Sequence, residues 1–144
     1  IDERRSIESA YLTVQKEIGE RMTANPGTRA YGSLSVASQI VADAKVLMHV
    51  RAHVFIPPPK VDSIYLAMCF RDDADDVDDA LLAFIRQSFS HKRKFMRHAL
   101  LEVFTEAEVE TLYEKMAFPR SVRAETLEPR IFRKMYEVLK ETRE

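Results

Sequence analysis

Three consecutive prolines, Pro57-Pro58-Pro59, stand between an aromatic residue, Phe55, and an apolar stretch from Val61 to Phe70. Each proline fixes φ and removes a backbone donor, so His53 to Ser63 neither pairs as a central strand nor coils into a helix. The residue ahead of each proline is driven toward extended geometry as well. The spacing therefore predicts a stiff extended arm that holds Phe55 in place at small entropic cost. Without further context the same residues also describe a rigid crossover loop whose phenylalanine plugs the core.

The flanks of this arm read as a sheet. Ile7 to Gln15 is a short apolar run consistent with a strand. Lys16 to Thr23 switches to helical spacing, with Ile18 and Met22 on one face, and Asn25-Pro26-Gly27-Thr28 is a turn by composition. Ser33 or Ser35 is placed to cap a second helix, whose apolar stripe runs through Leu34, Val36, Ala37, Ile40, Val41 and Ala44. Lys45 to Arg51 alternates, with Val46, Met48 and Val50 against Lys45, Leu47, His49 and Arg51, as in an edge strand. Val61 to Phe70 reads as a more buried strand. Residues 1–71 are thus the tail of an α/β sheet.

Asp72 to Asp79 is an acidic boundary that lacks the glycine and spaced ligands of a calcium loop, and it reads as a solvated linker. Beyond it the period is helical. Val77, Leu81, Phe84, Ile85 and Phe89 form one stripe, and Phe95 to Phe104 continues it. Thr105 with Glu108 makes a capping box ahead of a further helix, and Glu128-Pro129 opens the last. The division expected is a sheet remnant over 1–71, a linker over 72–79 and a small all-α domain over 80–144.

The chain carries a net charge of −1, so no global basic field marks a nucleic-acid ligand, and such a signal must be local. It is local at Lys92, Arg93, Lys94 and Arg97, beside Phe89 and Phe95, with Arg86 upstream. A cluster of this density grips phosphates, although it also suits a solvated helix face. Arg120, Arg123 and Arg130 add positive charge, partly offset by Glu125 and Glu128. The four histidines share no ligand spacing with cysteines or carboxylates, so no metal is expected. No nucleophile elbow or glycine-rich cofactor loop is present. Cys69, inside an apolar strand, is expected to be a buried thiol in a reducing compartment, the cytoplasm. No apolar run approaches the roughly 20 residues of a membrane span. The start at Ile1, without a methionine and close to an internal-looking strand, suggests the carboxyl-terminal piece of a larger protein.

Five motifs then add up to a family. Gln15-Lys16-Glu17-Ile18-Gly19-Glu20-Arg21 resembles the strand-to-helix junction of the small-subunit rRNA adenine dimethyltransferases (the KsgA/RsmA type). Tyr31-Gly32-Ser33-Leu34-Ser35-Val36 is similar to that family's "Y-G-x-L-S-V". Phe55 to Ser63 matches "F-x-P-x-P-x-V-x-S", with Pro57, Pro59 and Ser63 at the fixed positions. Phe89-Ser90-His91-Lys92-Arg93-Lys94 resembles "F-x-x-R/K-R-K", and Arg123-Ala124-Glu125-Thr126-Leu127 resembles "R-A-E-x-L".

The resemblance implies the last three strands of a Rossmann-like methyltransferase sheet followed by a helical rRNA-docking domain. It implies an enzyme that uses S-adenosylmethionine to dimethylate two adjacent adenosines near the 3′ end of small-subunit rRNA, in a pre-30S-type particle. Phe55 would stack on the flipped adenine, with the arm as its mount and Arg86, Lys92, Arg93, Lys94, Arg97 and Arg123 on RNA. The family's cofactor motifs precede the region matching Ile1. This chain alone is therefore expected to bind no cofactor and to be inactive without the amino-terminal half as its partner. It is also expected to expose an unpaired strand edge near Ile7 to Gln15. The alternatives are a non-catalytic RNA-binding or ribosome-assembly module, and a methylase of large-subunit rRNA.

Overall fold

In the computed structural model the three apolar stretches pair into one antiparallel sheet: β1 (Ser9–Gln15), β2 (Ala42–Val50) and β3 (Ser63–Phe70), in the order β1-β3-β2. The structure describes residues 7–91 and 94–143, and the backbone alone of Asp75. The most apolar strand takes the centre, with Ile64 and Leu66 fully buried and Met68 nearly so. Leu12 and Val46 flank Leu66, and Val14 faces Ile64 across the ladder. β1 forms an outer strand, as expected, with Tyr11 and Leu12 exposed.

Two helices, α1 (Lys16–Met22) and α2 (Ser33–Val41), lie between β1 and β2 in sequence and pack into the core beside Ile64. Gly19 makes the approach possible, because a Cβ there would stand 2.9 Å from Ile64 Cβ and 3.0 Å from its Cγ2. The start of α2 departs from expectation. Gly32 takes the cap position and Ser33 is the first helical residue. The buried Ser35 hydroxyl accepts from the Gly32 N–H at 3.0 Å and donates to the Arg21 carbonyl at 2.5 Å, which ties α2 to α1.

Two strand expectations also change. A bulge at Leu47 interrupts β2, so Val46 faces Leu66 while Met48 faces Tyr65 and His49 faces Ile64. Val46, Met48 and Val50 therefore do not share a face, because one extra residue reverses the pleat. Cys69 is exposed rather than buried. It follows the buried Met68 on a strand whose side chains alternate, and the helices cover only one side.

The remaining helices are α3 (Asp79–Ser88), α4 (Met96–Leu100), α5 (Glu106–Lys115) and α6 (Pro129–Arg143). Asp78 caps α3 by accepting from the Leu81 N–H at 2.7 Å. Thr105 and Glu108 form the anticipated capping box on α5, and Pro129 occupies the first position of α6, where its missing N–H costs nothing. Residues 72–79 are a packed corner rather than a solvated linker: Ala74 and Val77 are buried, and Asp73 accepts from Arg133 Nη1 at 2.7 Å. One apolar cluster runs from Met22 through Ile64, Leu100 and Phe132 to Leu139. The Tyr31 hydroxyl, donating to the Leu127 carbonyl at 2.6 Å, crosses the same seam.

Two predictions follow from this packing. In an open helix Gly→Ala is favourable by about 1 kcal/mol, but at Gly19 the new methyl meets the rigid branch point of Ile64. Overpacking should win, and Gly19→Ala is expected to cost about 1–3 kcal/mol in urea unfolding; an unchanged midpoint refutes the close approach. The Glu108 carboxyl is held down to about 2, chiefly by Arg143 Nε and then by the Thr105 N–H and hydroxyl. A depressed carboxyl adds stability above its ordinary value of 4.5 and loses it as pH falls from there toward 2. The melting temperature should fall through that window, and less steeply in Glu108→Gln.

Candidate nucleic-acid interface

Beyond β2 the chain makes one 3-10 turn, Ala52–Val54, before it extends at Phe55 (φ −95°, ψ 151°) and enters a cis Ile56–Pro57 bond. Phe55 itself is extended, but the chain bends at Phe55 to Pro57 and again at Lys60 and Val61, so the segment is a bent loop rather than the straight arm expected, and His53 lies in a helical turn that the proline rule did not anticipate. Asp62 closes its base. One carboxylate oxygen accepts from the Ala52 N–H at 2.9 Å and the other faces Arg51 Nη1 at 3.5 Å. Its backbone carbonyl accepts from the Lys16 N–H at 2.9 Å, fixing the start of α1 to the same point. No signal in the sequence separated this aspartate from an ordinary turn residue.

Ser63, half-buried, stands in register with both Gln15 and Val50, so the arm leaves from the edge where β1 and β2 have their carboxyl ends. That edge is where open α/β sheets hold their ligands. Phe55 is half-buried against its surroundings, whereas Ile56 is 99% exposed, and Val54, Pro57 and Pro59 are exposed too. The arm therefore presents an apolar tip wider than the single aromatic ring.

The expected cations divide into two groups. Arg86 and Lys94 are exposed and help line a surface cavity of about 580 Å³. Arg97 instead lies between carboxylates, 2.8 Å from Glu106 and 2.7 Å from Glu110, and Glu110 also holds Arg120 at 2.9 Å. These hydrogen bonds raise the pKa of Arg97 and lower that of Glu110. Arg123 lies 5.7 Å from the centroid of the part-exposed Phe95 ring and 3.5 Å from Glu125. The His98 ring is 6.4 Å from that of Phe95. Lys92 and Arg93 fall outside the described residues. Among the described residues no three His, Cys, Asp or Glu side chains are placed to hold a metal ion.

Residues 1–141 match the family model described as "Ribosomal RNA adenine dimethylase". The chain belongs to the rRNA adenine dimethylase family. Its family relatives include a "Ribosomal RNA small subunit methyltransferase A" from Streptococcus pyogenes, 35% identical over 98% of this chain and 51% of the relative. Another, of the same name, from Metamycoplasma arthritidis is 33% identical over 96% of this chain and 54% of its own. The chain spans between 35% and 54% of the length of these curated dimethylase-family relatives. The dimethylase-family fold is likewise seen in the crystal structure of a dimethyladenosine transferase from Plasmodium falciparum, with TM-score 0.81 and 22% identity over 96% of this chain and 62% of that one. The 23S rRNA methyltransferase ErmE aligns at TM-score 0.60 and 20% identity, over 94% and 56%.

Removing the Asp62 carboxylate should loosen the base of the arm. Asp62→Ala leaves the Ala52 N–H without its acceptor and is expected to cost about 1 kcal/mol. Hydrogen exchange at Ala52 and Phe55 should rise while Leu66 stays protected. Unchanged exchange at those two amides would show that the arm is held by something else.

Proposed function

We propose that the chain supplies the target-base arm and an RNA-docking surface to an S-adenosylmethionine-dependent rRNA adenine dimethyltransferase. Its substrate is a pair of adjacent adenosines near the 3′ end of small-subunit rRNA, presented in a pre-30S-type particle in the cytoplasm. The observation that carries this reading is the arm: Phe55 and Ile56 project from the carboxyl ends of β1 and β2, on a base clamped by Asp62. The names of the small-subunit relatives support the choice of RNA.

The exocyclic amine of adenine is inaccessible inside a stack, so the base must be unstacked and held. An aromatic face with rigid apolar neighbours performs that holding without reading sequence. None of the three glycines forms a glycine-rich cofactor turn: Gly19 is packed under Ile64, Gly27 sits in a turn at φ 81°, and Gly32 caps α2. On this reading the methyl donor is held by a segment other than these residues. No helix among the described residues is long and apolar enough to cross a membrane.

The test is methyl transfer to small-subunit particles by a protein that also carries the cofactor half, with large-subunit RNA as control. Phe55→Ala should leave RNA affinity intact and slow transfer about 5- to 150-fold, since stacking contributes about 1–3 kcal/mol per base. Full turnover by that variant removes Phe55 from the site. Absence of any transfer by the intact protein would favour a non-catalytic ribosome-assembly role.

A further inference from the structure

Two surface cavities of similar size treat their cations differently. In the larger, about 620 Å³, Arg71 pairs with Asp43, Arg130 with Glu128 at 2.7 Å and Arg133 with Asp73 at 2.7 Å. The other, about 580 Å³, gathers Arg21 from α1, Arg29 from the connection to α2, Arg86 from α3 and Lys94 from the loop beyond it. Among the described residues, no ion pair or side-chain hydrogen bond engages any of these four. Of the glutamates on the same walls, Glu20 is paired with Lys16 at 3.9 Å and Glu125 with Arg123 at 3.5 Å. Glu17 is left as the one uncompensated carboxylate among them.

Lys94 has Glu102 as an electrostatic neighbour, so three uncompensated arginines and a partly compensated lysine face one free carboxylate; they make a positive concavity, and field lines focus in a cleft. Their separation matters as much as their sign. They come from four different segments around the rim, so a single small anion would meet only some of them, whereas successive phosphates of a strand would meet them in turn. Arginine suits this task because its planar fork binds phosphate oxygens bidentately. The wall is also stiff: Tyr31 meets Phe89 edge to face at 6.1 Å, and its hydroxyl is anchored on Leu127. We infer that this groove between α1, the start of α2 and α3 binds the phosphodiester backbone of RNA, with Arg21 and Arg29 as phosphate-binding residues. The inference rests on the rRNA reading above and extends the docking surface onto the sheet-bearing part of the chain.

The experiment is equilibrium binding of a fluorescent RNA hairpin to the full chain across a salt series, with thermal melting as a check on folding. Arg21→Gln with Arg29→Gln should weaken binding at least about tenfold at low salt. It should also flatten the log–log salt slope by about 1.4–1.8, because each lost phosphate contact removes about 0.7–0.9. Arg29→Gln alone, at an exposed position, should give about half that change in slope without altering the melting temperature. An Arg71→Gln/Arg130→Gln control at the other cavity should change neither. An unchanged slope in the groove variants overturns the proposal. So does loss of inorganic phosphate binding with RNA binding intact, which would mark a free-anion site. This test and the methyl-transfer test fail separately, since the groove can be wrong in an active enzyme and right in an inactive one.

Discussion

The position of β3 governs this fold. It is the last strand in the chain, yet it lies between the first two, hydrogen-bonded to both. β1 and β2 consequently do not pair with each other, and each relies on β3 for its only strand partner among the described residues. Ile64 gives this central strand its purchase on α1 through the space left by Gly19. The chain must also return from an outer strand to the middle, and the proline arm is that return. Its two feet stand side by side, so a single carboxylate can close it.

The helical region is an extension of the same core. Phe132, Met135 and Leu139 on α6 belong to one apolar cluster with Val36 and Leu66, across what composition marks as an acidic boundary. Its charges fall into two physical classes. Arg97, Arg133 and Arg143 hold carboxylates on neighbouring segments and serve the architecture. Arg21, Arg29, Arg86 and Lys94 line a groove and, among the described residues, form no ion pair. Which class a cation belongs to depends on partners remote in sequence, and local density alone does not reveal it.

That difference explains what was legible beforehand. Most strand and helix positions followed from apolar periodicity, and the α5 cap from Thr105 and Glu108, because these are local patterns; the ends did not, since Ala44, read as the end of the α2 stripe, lies in β2, and the stripe read through Phe104 leaves the helix at Leu100. The arm was visible because proline acts on its own backbone. The exposure of Cys69 was missed because an apolar run does not say that one face of its sheet is uncovered. Asp62 escaped notice because its partners, Ala52 and Lys16, are brought to it only by folding. Arg21 and Arg29 sit in unremarkable surroundings until α3 is laid opposite them.

The bulge at Leu47 bears on how such a chain can drift in evolution. Substitutions within the arm alter what it presents, but its aim is set by the pairing of Met48 to Val50 with β3, beyond the bulge. Losing Leu47 would restore an uninterrupted ladder and would offend no packing rule. The pairs beyond it, Met48 with Tyr65 through Val50 with Ser63, would keep their register, so Arg51 and the arm's first foot would stay beside Asp62. The extra residue is therefore one that the ladder absorbs without moving the arm. A lineage would be expected to vary in length at this position and to hold the length of the segment between it and Asp62.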